Sequence, residues 1–327
     1  MTYILILNFN GAYDTIECLQ SVFRMHNRAF HAILIDNNST DSSVDTLENW
    51  LYVNETPFNK IRYLSQKNSF STPVLQKKAL MTFIYSDENN GYASGNNIGL
   101  KYVMQNASST DFIWILNNDT IVYTETLYEL TKSWNSLQKQ NIALLGAKVL
   151  EYTYPHNIQS VGIQTGLMLK EEKLFYACHS SSLSYDIEVD SICGCSIFLS
   201  LETLKEIGLM PEEYFLYYEE TDWMRAIKLK GFKIFTSGNS IVLHKHAKST
   251  GGYLSPMVLY YMTRNRVLFN KKYLTDKKFL LFCIFFSLYT LIKAVIYFFR
   301  SKTLSHSILS GMIDGFKGIS GKTYQRR

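Results

Sequence analysis

Ala32-Ile-Leu-Ile-Asp-Asn-Asn-Ser-Thr-Asp41 carries the clearest fold signal in the chain. Four apolar residues in a row read as a buried strand. The cluster that follows is rich in turn and N-cap residues, and Val44, Leu47 and Leu51 beyond it fall at helical spacing. The same step occurs on either side. Residues 3–9 form an apolar run ending in Asn10-Gly11, followed by a helical pattern through Ile16, Leu19, Val22 and Phe23. Residues 80–85 lead through Asn90-Gly91 into a helix to about Met104, and 112–116 lead through Asn117-Asn118-Asp119 into a helix from Glu125. Strand–turn–helix repeated in this way predicts an α/β fold with an open, mostly parallel central sheet flanked by helices. Ligands of such sheets bind beyond the carboxyl ends of the strands. The polar clusters at 8–10, 36–41, 90–97 and 117–119 all fall at those ends, which marks them as a candidate site.

Outward from this core the pattern changes. Residues 66–78 read as a loop or insertion. From 142 to 246 the runs are short and β-prone (161–165, 192–199, 232–235, 241–244), interrupted by one helix near 220–230 that Gly231 stops. The tail differs again. Residues 279–299 are apolar except for Ser287, Thr290 and Lys293, and as a helix would span about 31 Å, roughly one hydrocarbon core. Residues 304–319 are amphipathic through Leu304, Ile308, Met312, Ile313 and Phe316.

Charge follows the same division. The 327-residue chain has a net charge of +5, but from Lys245 onward it holds 15 Lys and Arg against Asp276 and Asp314, or +13, leaving −8 on the rest. A basic, apolar tail suits an in-plane or hairpin anchor on an anionic leaflet; a helical pair closing a soluble core or a dimer interface is the plainer alternative. The tail is too apolar for nucleic-acid binding. Gly315…Gly321-Lys322-Thr323 has the wrong spacing for a phosphate loop and no strand before it. Five cysteines form no paired framework, and Cys193-Gly-Cys195 is too tight for a zinc knuckle and lacks a partner pair. A reducing compartment is the expectation. The N-terminal apolar run is too short for a signal sequence.

A dinucleotide site fails at the first turn, where Asn8-Phe-Asn-Gly11 has one glycine in place of three. Carboxylates and amides at strand ends instead suit a phosphate-bearing ligand with a divalent cation. Here the residues carry a resemblance. Ile6-Leu-Asn-Phe-Asn-Gly11, Ile35-Asp-Asn-Asn-Ser-Thr-Asp41, Asn90-Gly-Tyr-Ala-Ser-Gly-Asn-Asn97 and Leu116-Asn-Asn-Asp-Thr120 resemble the family 2 glycosyltransferases of the GT-A fold. So do Gly194-Cys-Ser-Ile-Phe198, Phe215-Leu-Tyr-Tyr-Glu-Glu-Thr-Asp222 and His244, in the same order. The likeness is greatest to the rhamnosyltransferase-like branch of bacterial surface polysaccharide (O-antigen, capsule) synthesis. Tyr260-Tyr-Met-Thr-Arg-Asn-Arg266 in the tail resembles that branch too.

The resemblance implies a GT-A domain over residues 1–250 and a membrane-associating tail over 251–327. It implies an inverting, metal-dependent transferase at the cytoplasmic face of the plasma membrane, peripheral or monotopic. The donor would be a dTDP-, UDP- or GDP-sugar and the acceptor a glycan on a polyprenyl diphosphate. Asp36, with Asn8, Asn10 and Asn38, would line the nucleotide pocket; Gly91, Asn96 and Asn118 would also contact the donor. The plainer reading makes Asp36 and Asp41 turn caps and Gly91 a left-handed turn. Asp119 and His244 would hold Mg2+ or Mn2+, although only one Asp stands where the metal motif has two, and His246 nearby is a rival. Glu220 matches the catalytic base, usually Asp, and Glu219 or Asp222 would share or assume that role. An acidic first helical turn also stabilises the helix dipole, which is the alternative for all three. Lys245, Lys248 and Arg264 are candidates to neutralise an acceptor pyrophosphate. The rival to an enzyme is an inactive GT-A scaffold that binds a nucleotide sugar or a partner.

Overall fold

The computed structural model describes residues 1–71, 79–165, 171–245 and 255–324. β1 (Thr2–Asn8) leads to α1 (Ala12–Phe23) and β2 (Phe30–Asp36) to α2 (Ser43–Val53). β3 (Phe58–Leu64) and the two-residue β4 (Ser69–Phe70) follow. β5 (Met81–Ser86) then leads to α3 (Tyr92–Asn106), and β6 (Phe112–Asn117) leads through β7 (Thr120–Val122) to α4 (Thr126–Leu137). β3 has no counterpart in the sequence reading. It alternates exposed Lys60 and Arg62 with buried Ile61 and Tyr63, a strand with only one apolar face. The expected loop at 66–78 contains β4, and its residues 72–78 lie outside the described residues.

β8 (Ile142–Glu151), β9 (Ile158–Ser160), β10 (Ile163–Thr165), β11 (Glu171–Lys173), β12 (Ile187–Val189) and β13 (Ser196–Ser200) come next. α5 (Leu201–Ile207), α6 (Glu219–Leu229) and β14 (Lys233–His244) complete this part. The runs at 232–235 and 241–244 are thus largely one strand, with a register irregularity against β8 between Ser237 and Ile241. Three helices close the described chain: α7 (Pro256–Tyr273), α8 (Asp276–Phe298) and α9 (Lys302–Lys317).

The sheet runs β12-β14-β8-β13-β6-β1-β2-β5-β3-β4, with β7 on β14 and β9 on β8. β6, β1, β2, β5 and β3 are all parallel, with Asn8 opposite Asp36 and Leu7 opposite Asn117. Their middles (Ile4 to Ile6, Ile33 to Ile35, Ile113 to Ile115) are fully buried, as strands covered on both faces must be. The expected parallel sheet is therefore this block. Beyond it the sheet is mixed: β13 runs antiparallel to both β6 and β8, while β14 runs parallel to β8. Because chain order reverses at β1, between β6 and β2, the carboxyl ends of β1 and β6 sit at a topological switch point.

The chain forms two compact units. The first comprises Met1–Asn89, Gly95–Leu209 and the stretch from Trp223 through β14, and contains the whole twelve-stranded sheet. The second comprises Asn90–Ser94, Met210–Asp222 and the C-terminal helices. In it, α7 and α9 approach so closely that a Cβ on Gly311 would lie 2.5 Å from the Tyr260 carbonyl oxygen. α9 therefore buries Ser305, Ile308, Gly311 and Gly315, and leaves Ile313 and Phe316 of the expected apolar stripe exposed. α8 buries Phe286, Thr290 and Ala294, one residue per turn, and exposes Leu280, Ile284, Phe285, Leu288, Ile292 and Val295.

Candidate functional site

At the ends of β6, β1 and β2, hydrogen bonds link the candidate residues into a chain. Asn118 Nδ2 donates to Thr15 Oγ1 at 2.9 Å, and the Thr15 hydroxyl donates to Asn8 Oδ1 at 2.8 Å. Asn8 Nδ2 then donates to Asp36 Oδ1 at 2.8 Å. The Asp36 carboxylate also accepts from the Ser39 hydroxyl (2.6 Å) and the Ser39 amide (2.9 Å), so it holds the turn after β2 in the way the plainer reading expects. Asn10, at φ 52°, joins this turn to the one after β1: its Oδ1 accepts from the Thr40 amide at 2.8 Å. Asn38, at φ 59°, is the other left-handed residue there and is exposed. Asp41 caps locally, accepting from the Ser43 amide at 2.9 Å. Asn96 is buried in α3. The sequence reading missed Thr15 and Ser39, although a threonine in line with Ala12, Leu19 and Val22 on the buried face of α1 is a legible signal.

Asp119 and His244 come together across the paired β7 and β14, with Asp119 Oδ1 3.3 Å from His244 Nε2. Gln159, which the sequence reading missed, fixes the imidazole. Its Nε2 donates to the His244 carbonyl at 3.4 Å, which turns its Oε1 toward His244 Nδ1 at 2.7 Å. Nδ1 therefore carries a hydrogen, and Nε2 is the atom aimed at Asp119. An unprotonated Nε2 and a carboxylate oxygen facing each other need a cation or a proton between them. Burial alone would lower the His244 pKa, but the hydrogen bond to Asp119 and the nearby Cys193 raise it above the usual histidine value. Imidazole plus carboxylate, with the second ring nitrogen pinned, is a donor set that fits a divalent cation. The thiols of Cys193 and Cys195 lie beside this pair. A hydrogen bond from Cys195 holds the Cys193 thiol down at about 6, against the effect of burial.

Lys245, the next residue, is not available for a pyrophosphate. Its side chain pairs with Asp14 at 2.6 Å and with Glu17, and is nearly buried. Lys248 and His246 lie outside the described residues.

In the second unit, the acidic turn divides into different roles. Asp222 is buried and accepts from Tyr214 Oη at 2.9 Å, from Lys272 Nζ at 2.6 Å and from Tyr273. These bonds occupy it structurally. Glu219 is buried too, and its Oε2 finds no donor among the described residues. Burial pushes its carboxyl up to about 7, against backbone N–H groups that pull it down. Glu220 is half-buried. The loop before them is strained, with Phe215, Tyr217 and Tyr218 at φ 65°, 67° and 78°. Gly91, at φ 100°, packs on it so tightly that a Cβ would lie 2.1 Å from the Phe215 carbonyl oxygen, which accounts for a glycine there.

Arg264 and Asn265 hold this loop. Fully buried Arg264 donates to the Tyr214 and Gly321 carbonyls and to Thr323 Oγ1, each at 2.7 Å. Asn265 Nδ2 lies within 3.1 Å of the Tyr214 carbonyl and 2.8 Å of those of Leu216 and Tyr217. Arg264 is thus a loop anchor, not a pyrophosphate ligand, and Gly321 and Thr323 of the apparent phosphate loop serve the same anchor.

No family model matches the chain. It is 24% identical over 196 residues to the low-salt glycan biosynthesis hexosyltransferase Agl10 of Haloferax volcanii, a match over 57% of this chain and 59% of that protein. The similarity thus covers less than two thirds of that relative's length. Among solved structures, GalNAc-T7 with UDP, GalNAc and Mn2+ superposes with a TM-score of 0.59 at 13% identity, over 82% of this chain and 48% of that one. The mannosyltransferase PcManGT of Pyrobaculum calidifontis, in complex with GDP-Man and Mn2+, gives 0.54 at 11% identity, over 96% and 86%. The fold is the GT-A fold. On this GT-A framework, the strand-end array of Asn8, Asp36 and Asn118 and the pair Asp119–His244 belong to the sheet unit. The acidic turn at Glu219 belongs to the second unit, as does the loop that Arg264 anchors.

Proposed function

We propose that this chain is a glycosyltransferase that moves a sugar from a nucleotide-sugar donor to a glycan or lipid-linked acceptor, with inversion and with a divalent cation. The observation that carries the reading is the Asp119–His244 pair, oriented by Gln159 at the sheet's switch point on a GT-A fold. The array of Asn8, Asn10, Asp36 and Asn118, with Asn38, Gly91 and Asn96, is assigned to the donor nucleotide. Asp119 and His244 are assigned to Mg2+ or Mn2+. What such a cation supplies there, when bound, is charge neutralisation of the departing diphosphate. Glu220 takes the proton from the attacking acceptor hydroxyl. Motif resemblance favours rhamnosyl or hexosyl transfer from a dTDP-, UDP- or GDP-sugar in surface polysaccharide synthesis, at the cytoplasmic face of the membrane.

The test is release of nucleoside diphosphate from those donors, with and without Mn2+ or Mg2+, in wild type and Asp119→Asn. Donor-selective, cation-dependent release is expected, reduced in the variant by about 10²-fold or more, since a bound cation contributes several kcal/mol. Binding without release, even with lipid-linked acceptor extract, would instead indicate a scaffold. The single Asp of the metal motif and the Glu at the base position are what favour that second reading. If no donor binds with either cation, the nucleotide assignment fails.

The tail is assigned to membrane association, supported by the exposed apolar face of α8 and the lysines and arginines around it. Flotation with vesicles containing anionic lipid is expected for wild type. Replacing Ile284, Leu288 and Ile292 by Ser should reduce it strongly, because each exposed aliphatic side chain contributes about 1.5–3 kcal/mol when buried. Equal flotation of both proteins would remove α8 from the interface.

A further inference from the structure

We propose that Cys193, Cys195 and His244 form a binding site for a borderline-soft divalent cation of the Zn2+ class, beside Asp119. Their donor atoms all lie within 4.8 Å of one another. None of the five cysteines is in a disulfide. The backbone explains how two residues so close in sequence face one position. Ser196 N–H donates to the Cys193 carbonyl at 3.3 Å, closing a turn just before β13. Asn117 N–H donates to the Cys195 carbonyl at 3.0 Å, which fixes that turn against the end of β6, where Asn118 and Asp119 follow. The third donor arrives from β14. Because Gln159 occupies His244 Nδ1, the ligand atom is Nε2, whose other neighbour is Asp119 Oδ1 at 3.3 Å.

Two sulfurs and an imidazole select Zn2+ or Co2+ over Mg2+, which takes oxygen ligands. The sulfurs bind as thiolates and the imidazole binds neutral. Cys193, half-buried, gives the cation a way in, while Cys195 and His244 are buried. Sequence spacing alone could not reveal this site, since Cys-Gly-Cys has no second pair along the chain. One consequence rests on the transferase reading. His244 cannot serve two cations, so a metal held by the thiols takes the imidazole from Asp119, and Zn2+ should inhibit competitively with Mn2+.

The site itself is tested without activity, on the full reduced chain with Co2+ as the probe. One Co2+ per chain is expected, with the near-ultraviolet sulfur-to-cobalt absorption of a thiolate complex and displacement by Zn2+. Cys193→Ser and Cys195→Ala should each lose the band and bind at least ~10-fold more weakly, while Cys178→Ser keeps both. Zn2+ should also protect Cys193 of the wild type from alkylation, a readout that does not depend on how the variants fold. Co2+ bound without a sulfur band would mean an oxygen and imidazole site at Asp119 only, and would overturn the proposal while sparing the transferase reading. No binding, a band that survives both substitutions, or alkylation indifferent to Zn2+ would overturn it equally.

Discussion

Glu220→Gln is expected to lower turnover by about 10²–10⁴-fold, the usual worth of a general base, with donor binding changed by less than about twofold. Gln keeps the shape of Glu220 but cannot accept the acceptor's proton. Equal losses in kcat and kcat/KM at constant donor affinity would mark a group that acts in the transition state. Unchanged turnover would remove Glu220 from the chemistry. Glu219→Gln provides the contrast, because its effect should depend on pH. The Glu219 carboxyl sits at about 7 in the folded protein, raised above its value of about 4.3 in an unfolded chain. The folded state therefore keeps a proton that the unfolded chain has given up. The associated stability is fully present below about pH 4 and is lost as pH rises through about 7, a loss of about 4 kcal/mol. Glu219→Gln cannot ionise, so it should be more stable than wild type at pH 8 and equal to it near pH 4. Denaturant melts at the two pH values check this, and an equal difference at both would mean that Glu219 is not held protonated.

The parallel half of the sheet was legible because each buried strand there is a short apolar run stopped by turn residues, as in Ala32 to Asp41. β3 was not, since Lys60 and Arg62 on its exposed face break the apolar run. Roles were less legible than places. Asp36 and Asn118 do stand at strand ends, but sequence could not show that Thr15 links them through Asn8. Gln159 carried no local signal, because only the pairing of β9 and β14 with β8 brings it to His244. The acidic turn was seen as one cluster, whereas burial divides it into a paired Asp222, a high-pKa Glu219 and a more accessible Glu220. Arg264 misled for a related reason. A basic residue in a basic tail looks like a ligand for anions, and only its complete burial among carbonyl groups shows otherwise.

Arg264→Met should destabilise the protein by about 3–5 kcal/mol, among the larger effects expected of a single substitution. Methionine fills much of the same volume beside Tyr260 and Tyr261, so packing is largely kept. What is lost is a set of charge-assisted donors to the Tyr214 and Gly321 carbonyls and to Thr323 Oγ1, and a buried acceptor left without its donor costs about 1–3 kcal/mol. Three residues with positive φ lie in the loop that these bonds restrain together with those of Asn265, each storing about 1–3 kcal/mol. Once released, the loop should relax and Glu219 and Glu220, which follow it directly, should lose their fixed positions. The variant is therefore expected to melt earlier and also to lose turnover at temperatures where it remains folded, while donor binding persists. Arg264→Lys retains the charge but not the forked geometry, and should recover only part of the stability. Full stability in Arg264→Met would mean that Asn265 alone holds the loop, through its contacts with the Leu216 and Tyr217 carbonyls at 2.8 Å.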